Sequence, residues 1–331
     1  MSRIRERATR VSGSARQDAG LRLGIGDDCA LLRLRHDEEL AVTTDLSLAG
    51  RHFRLDWHPP EAIGHRTLAR GLSDLAAMGA RPVAAFLSLG LPRELAGKWL
   101  DRFLNGFFAL AEVFHTPLAG GDLAESPIPV ADIVLTGAVR RGKALLRSGA
   151  RPGDLLYVTG RLGGAAAGLV QLERLAGTAR KSTSKTGTPR PSHIPAGLKD
   201  MLAPHLYPQP RITQGLLLAR RALASSAIDI SDGLSTDLAH LCDESRVAAE
   251  VDLDALPIHP GASQSQALHS GEDYEILFTA HPSARMPRSI AGVPITRIGR
   301  MVHARASQAA ITLLTPLGAQ PLERQGWEHF S

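Results

Sequence analysis

Carboxylates recur in this chain at the ends of strand patterns and beside glycines. Asp27 and Asp28 follow two glycines in "LRLGIGDDCALLRLR" and stand just before an apolar run. Asp45 ends a strand pattern in "VTTDLS", and Asp122 follows two glycines in "LAGGDLA". Asp229 and Asp232 bracket a strand-to-helix turn in "AIDISDGL", and Glu272 and Asp273 follow Gly271 in "SGEDYEILF". Asp74 differs, lying inside a helical pattern at the edge of its apolar stripe in "GLSDLAAMGA". Singly, each has a local explanation. Asp favours turns, where glycine supplies unusual backbone angles; Ser231 or Asp232 fits the cap of a helix starting near Leu234; Asp122 fits a turn and Asp74 a water-facing position. Together they form an oxygen-rich set of the kind hard cations take, chiefly Mg²⁺, which commonly comes with phosphates.

Other chemistries fit poorly. His and Cys do not cluster, which argues against zinc, and no G-x-S-x-G element suggests acyl transfer. "GIGDDC" has Cys29 where a dinucleotide fingerprint needs its third glycine, and "GTARKST" has Arg180 where a P-loop needs glycine before Lys181. "VTGRLGGAAAG" leaves two readings open: glycines exposing backbone N–H groups to an anion at a helix N-terminus, or small residues for close packing.

The elements that must position these groups alternate between strand and helix. From Glu39 the chain reads strand "ELAVTTDLSL", helix "PEAIGHRTLARGLSDLAAMGA", strand "PVAAFLSLGLP", helix "KWLDRFLNGFFALAEVFH" and strand "DIVLTGAVRRG". Leu68, Leu72, Leu75 and Met78 form one apolar stripe on the first helix. The Gly/Pro-punctuated turn "RSGARPGD", residues 147 to 154, is the expected boundary between domains at 1–147 and 148–331. Beyond it come strand "LLYVTG", a small-residue helix, and a polar stretch at 178–197 that reads as a surface insertion. A helix near "RITQGLLLARRAL", strand "SAIDI", helix "GLSTDLAHLCDES" and strands near "AAEVDL", "YEILFTA" and "ITRIGRM" complete an α/β or α+β class.

Composition narrows the partners. With 331 residues, 44% hydrophobic and 21% charged, the chain reads as a soluble globular protein with no run long enough for a membrane span. Its net charge of +5 is dispersed and overwhelmingly from Arg, so no nucleic-acid surface is expected. The Arg-rich N-terminus has no apolar core of a secretory signal, and two cysteines, Cys29 and Cys242, fit a reducing cytoplasm.

In order along the chain, "GIGDDCALL", "TTDLSLAGRHF", "LSDLAAMGARP", "LAGGD", "RSGARPGD", "YVTGRLGGAAAGL", "AIDISDGLSTDL", "SGEDYE" and "GWEHF" resemble the thiamine-monophosphate kinases. The resemblance implies the two-domain fold of aminoimidazole ribonucleotide synthetase: an N-terminal α/β domain whose strands help build a homodimer, and a C-terminal α/β domain. It implies transfer of the γ-phosphoryl group of ATP to thiamine monophosphate with the help of several Mg²⁺ ions. Carried over by position, Asp27, Thr43, Thr44, Asp45, Asp74, Asp122, Asp229 and Asp232 look like magnesium ligands. Gly121, Asp122, Arg147 and Ser231 resemble ATP contacts, and His52, Glu272 and Trp327 match positions that contact thiamine phosphate. Asp28 then reads as structural.

Leu123 and Ala49 depart from the family's "GGDT" and "DMLVEG" patterns, removing a hydroxyl and an acid. Two other readings stand beside the kinase: an ATP-using enzyme of the same superfamily acting on a purine precursor, and an inactive metal or nucleotide sensor. A sensor's signature would be lost acidic ligands, and none of the main Asp positions is lost.

Overall fold

The protein is described by a computed structural model covering residues 4, 6–8, 20–180, 194–305 and 309–326. Two compact units divide it: Met1–Leu75, Arg81–Arg141 and Val170–Asp200 form the first, and Ala76–Ala80, Gly142–Leu169 and Met201–Ser331 the second.

After a ribbon of β1 (Leu21–Leu23) and β2 (Leu31–Leu32), the first unit builds a sheet from β3 (Glu38–Leu48), β4 (Arg81–Leu91), β5 (Leu118–Glu125) and β6 (Val130–Arg140). Its order is β3-β6-β4-β5. β3 and β6 run antiparallel in unbroken register, from Glu38 opposite Arg140 to Leu48 opposite Val130. β4 pairs antiparallel with β6 and parallel with β5. Strand β5 corrects the turn reading of "LAGGD". A Cβ on Gly121 would lie 1.9 Å from the Leu87 carbonyl oxygen, and its φ is +144°, so the glycine permits close strand approach within the sheet.

Helices α1 (Pro60–Ala77) and α2 (Lys98–Val113) cross almost backbone to backbone. A Cβ on Gly64 would meet the Phe103 carbonyl oxygen at 1.9 Å, and one on Gly106 the Glu61 carbonyl oxygen at 1.8 Å. Gly71 sets α1 against Leu135 of β6. Leu68, Leu72 and Leu75 are fully buried, as helical spacing predicts, whereas Met78 lies past the end of α1 and is half-buried; Phe103, Phe107, Ile133 and Leu135 are fully buried too. Asp74 lies three residues beyond Gly71, on the side of the helix that meets the sheet.

The second unit has β7 (Leu155–Thr159), β8 (Ser226–Asp229), β9 (Ala248–Asp252), β10 (Ile276–Ala280), β11 (Ser289–Ile290), β12 (Val293–Val302), β13 (Ile311–Thr315) and β14 (Gly318–Pro321). The sheet order is β14-β13-β9-β12-β7-β10-β8, with β11 beside β12, and only β9 with β13 is parallel. Helices α3 (Gly164–Arg180), α4 (Lys199–Leu206), α5 (Ile212–Arg220), α6 (Leu234–Ser245) and α7 (Gln264–His269) follow the chain. Leu156, Val158, Ile228, Leu238, Leu241, Val251, Leu277 and Ile298 form part of one buried core. Most of the polar 178–197 stretch lies outside the described residues.

Candidate functional site

Each unit carries its own group of carboxylates. In the first, alternation along β3 puts Thr43, Asp45 and Ser47 on one face and Leu40, Val42, Thr44 and Leu46 on the other. The polar face meets α1. The Thr43 hydroxyl donates to Asp74 Oδ2, so Asp74 does not simply face water. Arg70, one turn earlier on α1, places Nη2 3.4 Å from Asp45 Oδ1 and reaches Ser47 Oγ with Nη1 at 3.5 Å.

Asp45 is the least comfortable carboxyl here. Burial pushes it up to about 6; Arg70 pulls it down, while Asp74 and Asp132 push it further up. Asp132 enters through register, opposite Leu46 on β3 and opposite Ser88 on β4, and it accepts the Thr44 hydroxyl at 3.2 Å. Nothing in its surroundings, one charge near the start of the apolar strand "VADIVLTGAVR", marks it in the sequence. The next rung of the same row sets Asp122 opposite Ser88, exposed, its Oδ1 accepting the Leu123 N–H at 2.8 Å.

Asp27 is exposed in a turn, and its Oδ1 accepts the Asp28 N–H at 3.0 Å. His52 accepts the Leu48 N–H on Nδ1 at 3.0 Å, and it lines a small cavity with Ser47, Arg66, Thr67 and Arg70. Phe53 and Ile63 complete a mixed lining around a space about the size of one water.

In the second unit Asp229 is buried at the end of β8, opposite Ile276. Neither Ser231 nor Asp232 caps α6, which corrects the capping expectation: the N-cap is Gly233, at φ +117°. Asp237, a residue the sequence reading passed over, reaches back instead and accepts N–H groups from Ser231, Asp232 and Gly233 on one oxygen. Burial, with Asp232 adding repulsion, pushes its carboxyl up to about 7 against these three bonds.

The segment Gly271–Glu275 packs against the same turn. A Cβ on Gly271 would lie 2.0 Å from the Ser231 carbonyl oxygen, and the Glu272 N–H donates to that oxygen at 2.8 Å. Glu272 and Tyr274 both have positive φ, +66° and +52°, a costly backbone conformation for residues with side chains. Buried His205 of α4 places Nδ1 3.9 Å from Glu272 Oε2. Asp273 settles the "GRLGG" alternatives. Its carboxylate takes the Gly163 N–H at 2.6 Å and the Ala165 N–H at 3.0 Å, so these amides at the start of α3 are already bonded within the protein.

Arg147 is exposed, with its carbonyl oxygen accepting from Ser245 Oγ at 2.8 Å. Trp327 lies outside the described residues.

No group of three His, Cys, Asp or Glu side chains stands ready to hold a metal among the described residues. What the first unit does hold is the half-buried Asp45 carboxyl, repelled by Asp74 on the same face and by Asp132 from the other face of the sheet, and drawn down by Arg70. The donors are hard oxygens, and the repulsion among them is what a divalent cation relieves, so the residues fit Mg²⁺.

Known proteins resemble this chain along most of its length. Residues 26–139 match the N-terminal domain of the AIR synthase related proteins and residues 151–311 the C-terminal domain. The chain is 40% identical over 290 residues to a thiamine-monophosphate kinase of Salmonella typhimurium, covering 84% of this chain and 83% of that one. The crystal structure of a thiamine-monophosphate kinase from Stenotrophomonas maltophilia is 38% identical, with a TM-score of 0.77 over 92% of this chain and 94% of that one. A structure of AaThiL complexed with AMPPCP and TMP is 28% identical, with a TM-score of 0.74 over 97% and 95% of the two chains.

Proposed function

The chain belongs to the thiamine-monophosphate kinase family, and we propose that it transfers the γ-phosphoryl group of ATP to thiamine monophosphate, giving thiamine diphosphate and ADP. The observation that carries the reading is the pair Asp45 and Asp74, carboxyls of β3 and α1 that repel each other on one face of the sheet beside Arg70.

The acceptor phosphate has a second pKa of about 6, so it is largely ionised near neutral pH and needs no general base. The difficulty is charge. At 4 Å each like-charge pair between the two phosphate groups repels by about 4 kcal/mol at an effective dielectric of 20. Asp27, Thr43, Thr44, Asp45, Asp74 and Asp122 of the first unit and Asp229 and Asp232 of the second are the proposed Mg²⁺ ligands. Bound Mg²⁺ neutralises phosphate charge and favours in-line transfer. Gly121, Asp122, Arg147 and Ser231 are proposed to contact ATP. For Gly121 the role is a backbone one, since its missing Cβ already serves the approach of β5 to β4.

His52, Glu272 and Trp327 are assigned to thiamine phosphate. The Glu272 carboxylate has His205 Nδ1 as a neighbour at 3.9 Å, and the residue's backbone adopts a positive φ beside the Ser231 turn. Trp327, one of three Trp in a chain with 4% aromatics, suits the cationic thiazolium, with roughly 0.5–2 kcal/mol of attraction. The domain boundary is proposed between residues 147 and 148, in the gap between the two matched domain models, which end at 139 and start at 151.

We further assign the chain to a homodimer and to the cytoplasm. No described helix is long and apolar enough to cross a membrane. The direct test is to incubate purified protein with ATP, Mg²⁺ and thiamine monophosphate and assay for thiamine diphosphate. Product is expected; its absence from correctly folded protein overturns the reading.

A further inference from the structure

Three consecutive N–H groups, from Ser231, Asp232 and Gly233, point at one oxygen of Asp237, at 3.1, 3.0 and 3.0 Å. Such a concavity of backbone amides ordinarily suits a phosphate or another external anion. Here the chain fills it with its own carboxylate, which is 2% exposed. The turn's amides are therefore committed, and what the turn can give a ligand is the side chains of Asp229, Ser231 and Asp232.

The opposite side of the turn is fixed as well. Glu272 donates its N–H to the Ser231 carbonyl at 2.8 Å, Tyr274 donates to the Ile230 carbonyl at 2.9 Å, and a Cβ on Gly233 would lie 2.7 Å from the His269 carbonyl oxygen. Of all these contacts, only the Asp237 carboxylate is a side chain holding three successive peptide groups at once. Each of the three bonds favours the ionised carboxylate against the burial that opposes it.

We infer that Asp237 is a positioning residue of the phosphoryl transfer, clamping the Ser231–Gly233 turn in the conformation in which Asp229 and Asp232 serve the metal; the inference rests on the reading proposed above. Groups that orient metal ligands through hydrogen bonds typically change metal affinity by about ten- to a hundredfold when removed. A residue that only capped α6 would change stability and leave metal affinity alone.

The test is Asp237→Asn, which keeps shape and removes the charge. Half-saturating Mg²⁺ should rise about ten- to a hundredfold, both in turnover and in calorimetric binding of Mg²⁺ with a non-hydrolysable ATP analogue. At saturating Mg²⁺, kcat should return to within about threefold of the wild type. Unchanged Mg²⁺ dependence in a folded variant, or a fall in kcat with no such shift, overturns the inference.

Asp232→Asn, assayed in parallel, separates this failure from that of the underlying reading. If Asp232→Asn keeps wild-type Mg²⁺ dependence, the metal assignment fails and this inference with it. If Asp232→Asn is impaired and Asp237→Asn is not, only this inference fails. Should Asp237→Asn not fold, amide hydrogen exchange on the ligand-free wild type decides. Residues 231–233 should exchange at least about a hundredfold more slowly than unstructured chain, and unprotected exchange overturns the clamp.

Discussion

At the scale of single residues, Asp74 separates the two explanations open to every carboxylate in this chain. It sits within α1, where neither a cap nor a turn accounts for it, and accepts the hydroxyl of Thr43 from β3. In Asp74→Asn an amide oxygen can still accept that bond, so stability should change by no more than about 0.5 kcal/mol. If Asp74 holds Mg²⁺, turnover should fall about a hundredfold or more, and raising Mg²⁺ should restore part of it. Near-normal turnover at low Mg²⁺ would contradict the metal role. Asp45 adds a pH signature. Its carboxyl is raised from 3.8 to about 6, so the folded metal-free protein binds this proton more tightly than the unfolded chain, and the associated stability is lost as pH rises through that window. Mg²⁺ needs the ionised form, so its stabilising effect on the melting temperature should grow between about pH 5 and pH 7.5. Equal stabilisation at both pH values would remove Asp45 from the ligand set. The types and places of these residues were legible in the sequence, but their partners were not. Asp132 joins Thr44 only through the β3–β6 register, and Asp237 reads as one more polar position on an amphipathic helix until the turn before it is seen folded back.

Among elements, legibility followed the strength of the period. Strand β3 and helices α1, α2 and α6 start and end within a few residues of where alternation and helical spacing place them. Strand β5 was hidden because Gly120 and Gly121 signal a turn, although they serve close strand approach. Helix α4 was hidden by Pro204 inside it, and the β13–β14 hairpin by its short strands. One buried ion pair fixes how these elements meet in the second unit. Arg211, at the start of α5, donates from Nε to Glu275 Oε2 at 2.6 Å and from Nη2 to Oε1 at 2.5 Å, while Thr159 of β7 donates to Oε2 at 2.5 Å. Gly160 must lack a Cβ, which would lie 2.0 Å from Glu275 Oε1. Glu275→Ala leaves a largely desolvated guanidinium and a buried hydroxyl without their acceptor. It should destabilise the protein by about 3 kcal/mol or more in chemical denaturation, and a loss below about 1 kcal/mol would show that the pair matters little.

For the whole molecule the informative element is β3, whose two faces are reversed from the usual order. The face against α1 carries Thr43, Asp45 and Ser47, and the opposite face carries Leu40, Val42 and Leu46 at 50%, 60% and 47% exposure. Strand alternation alone cannot say which face is inside, because a period of two reads the same from either side. Thr43, Asp45 and Ser47 meet α1, while the row of Leu40, Val42 and Leu46, interrupted by Thr44, stands exposed on a strand that pairs with β6 alone among the described residues. A long edge strand with apolar side chains is a liability unless something covers it, and the proposed homodimer supplies the cover. Val42→Asp tests this, because the position is exposed within one chain and an acidic side chain there should cost folding no more than about 0.5 kcal/mol. If two copies meet across this face, the substitution buries an unpaired charge on each side of the interface, an expense of several kcal/mol per ion. In sedimentation velocity at micromolar concentration, the wild type should run as a dimer and Val42→Asp as a folded monomer. The wild type's melting temperature should also rise with protein concentration, and the variant's should not. A monomeric wild type, or a variant that still dimerises, would move the interface away from β3 and leave its apolar row without an explanation.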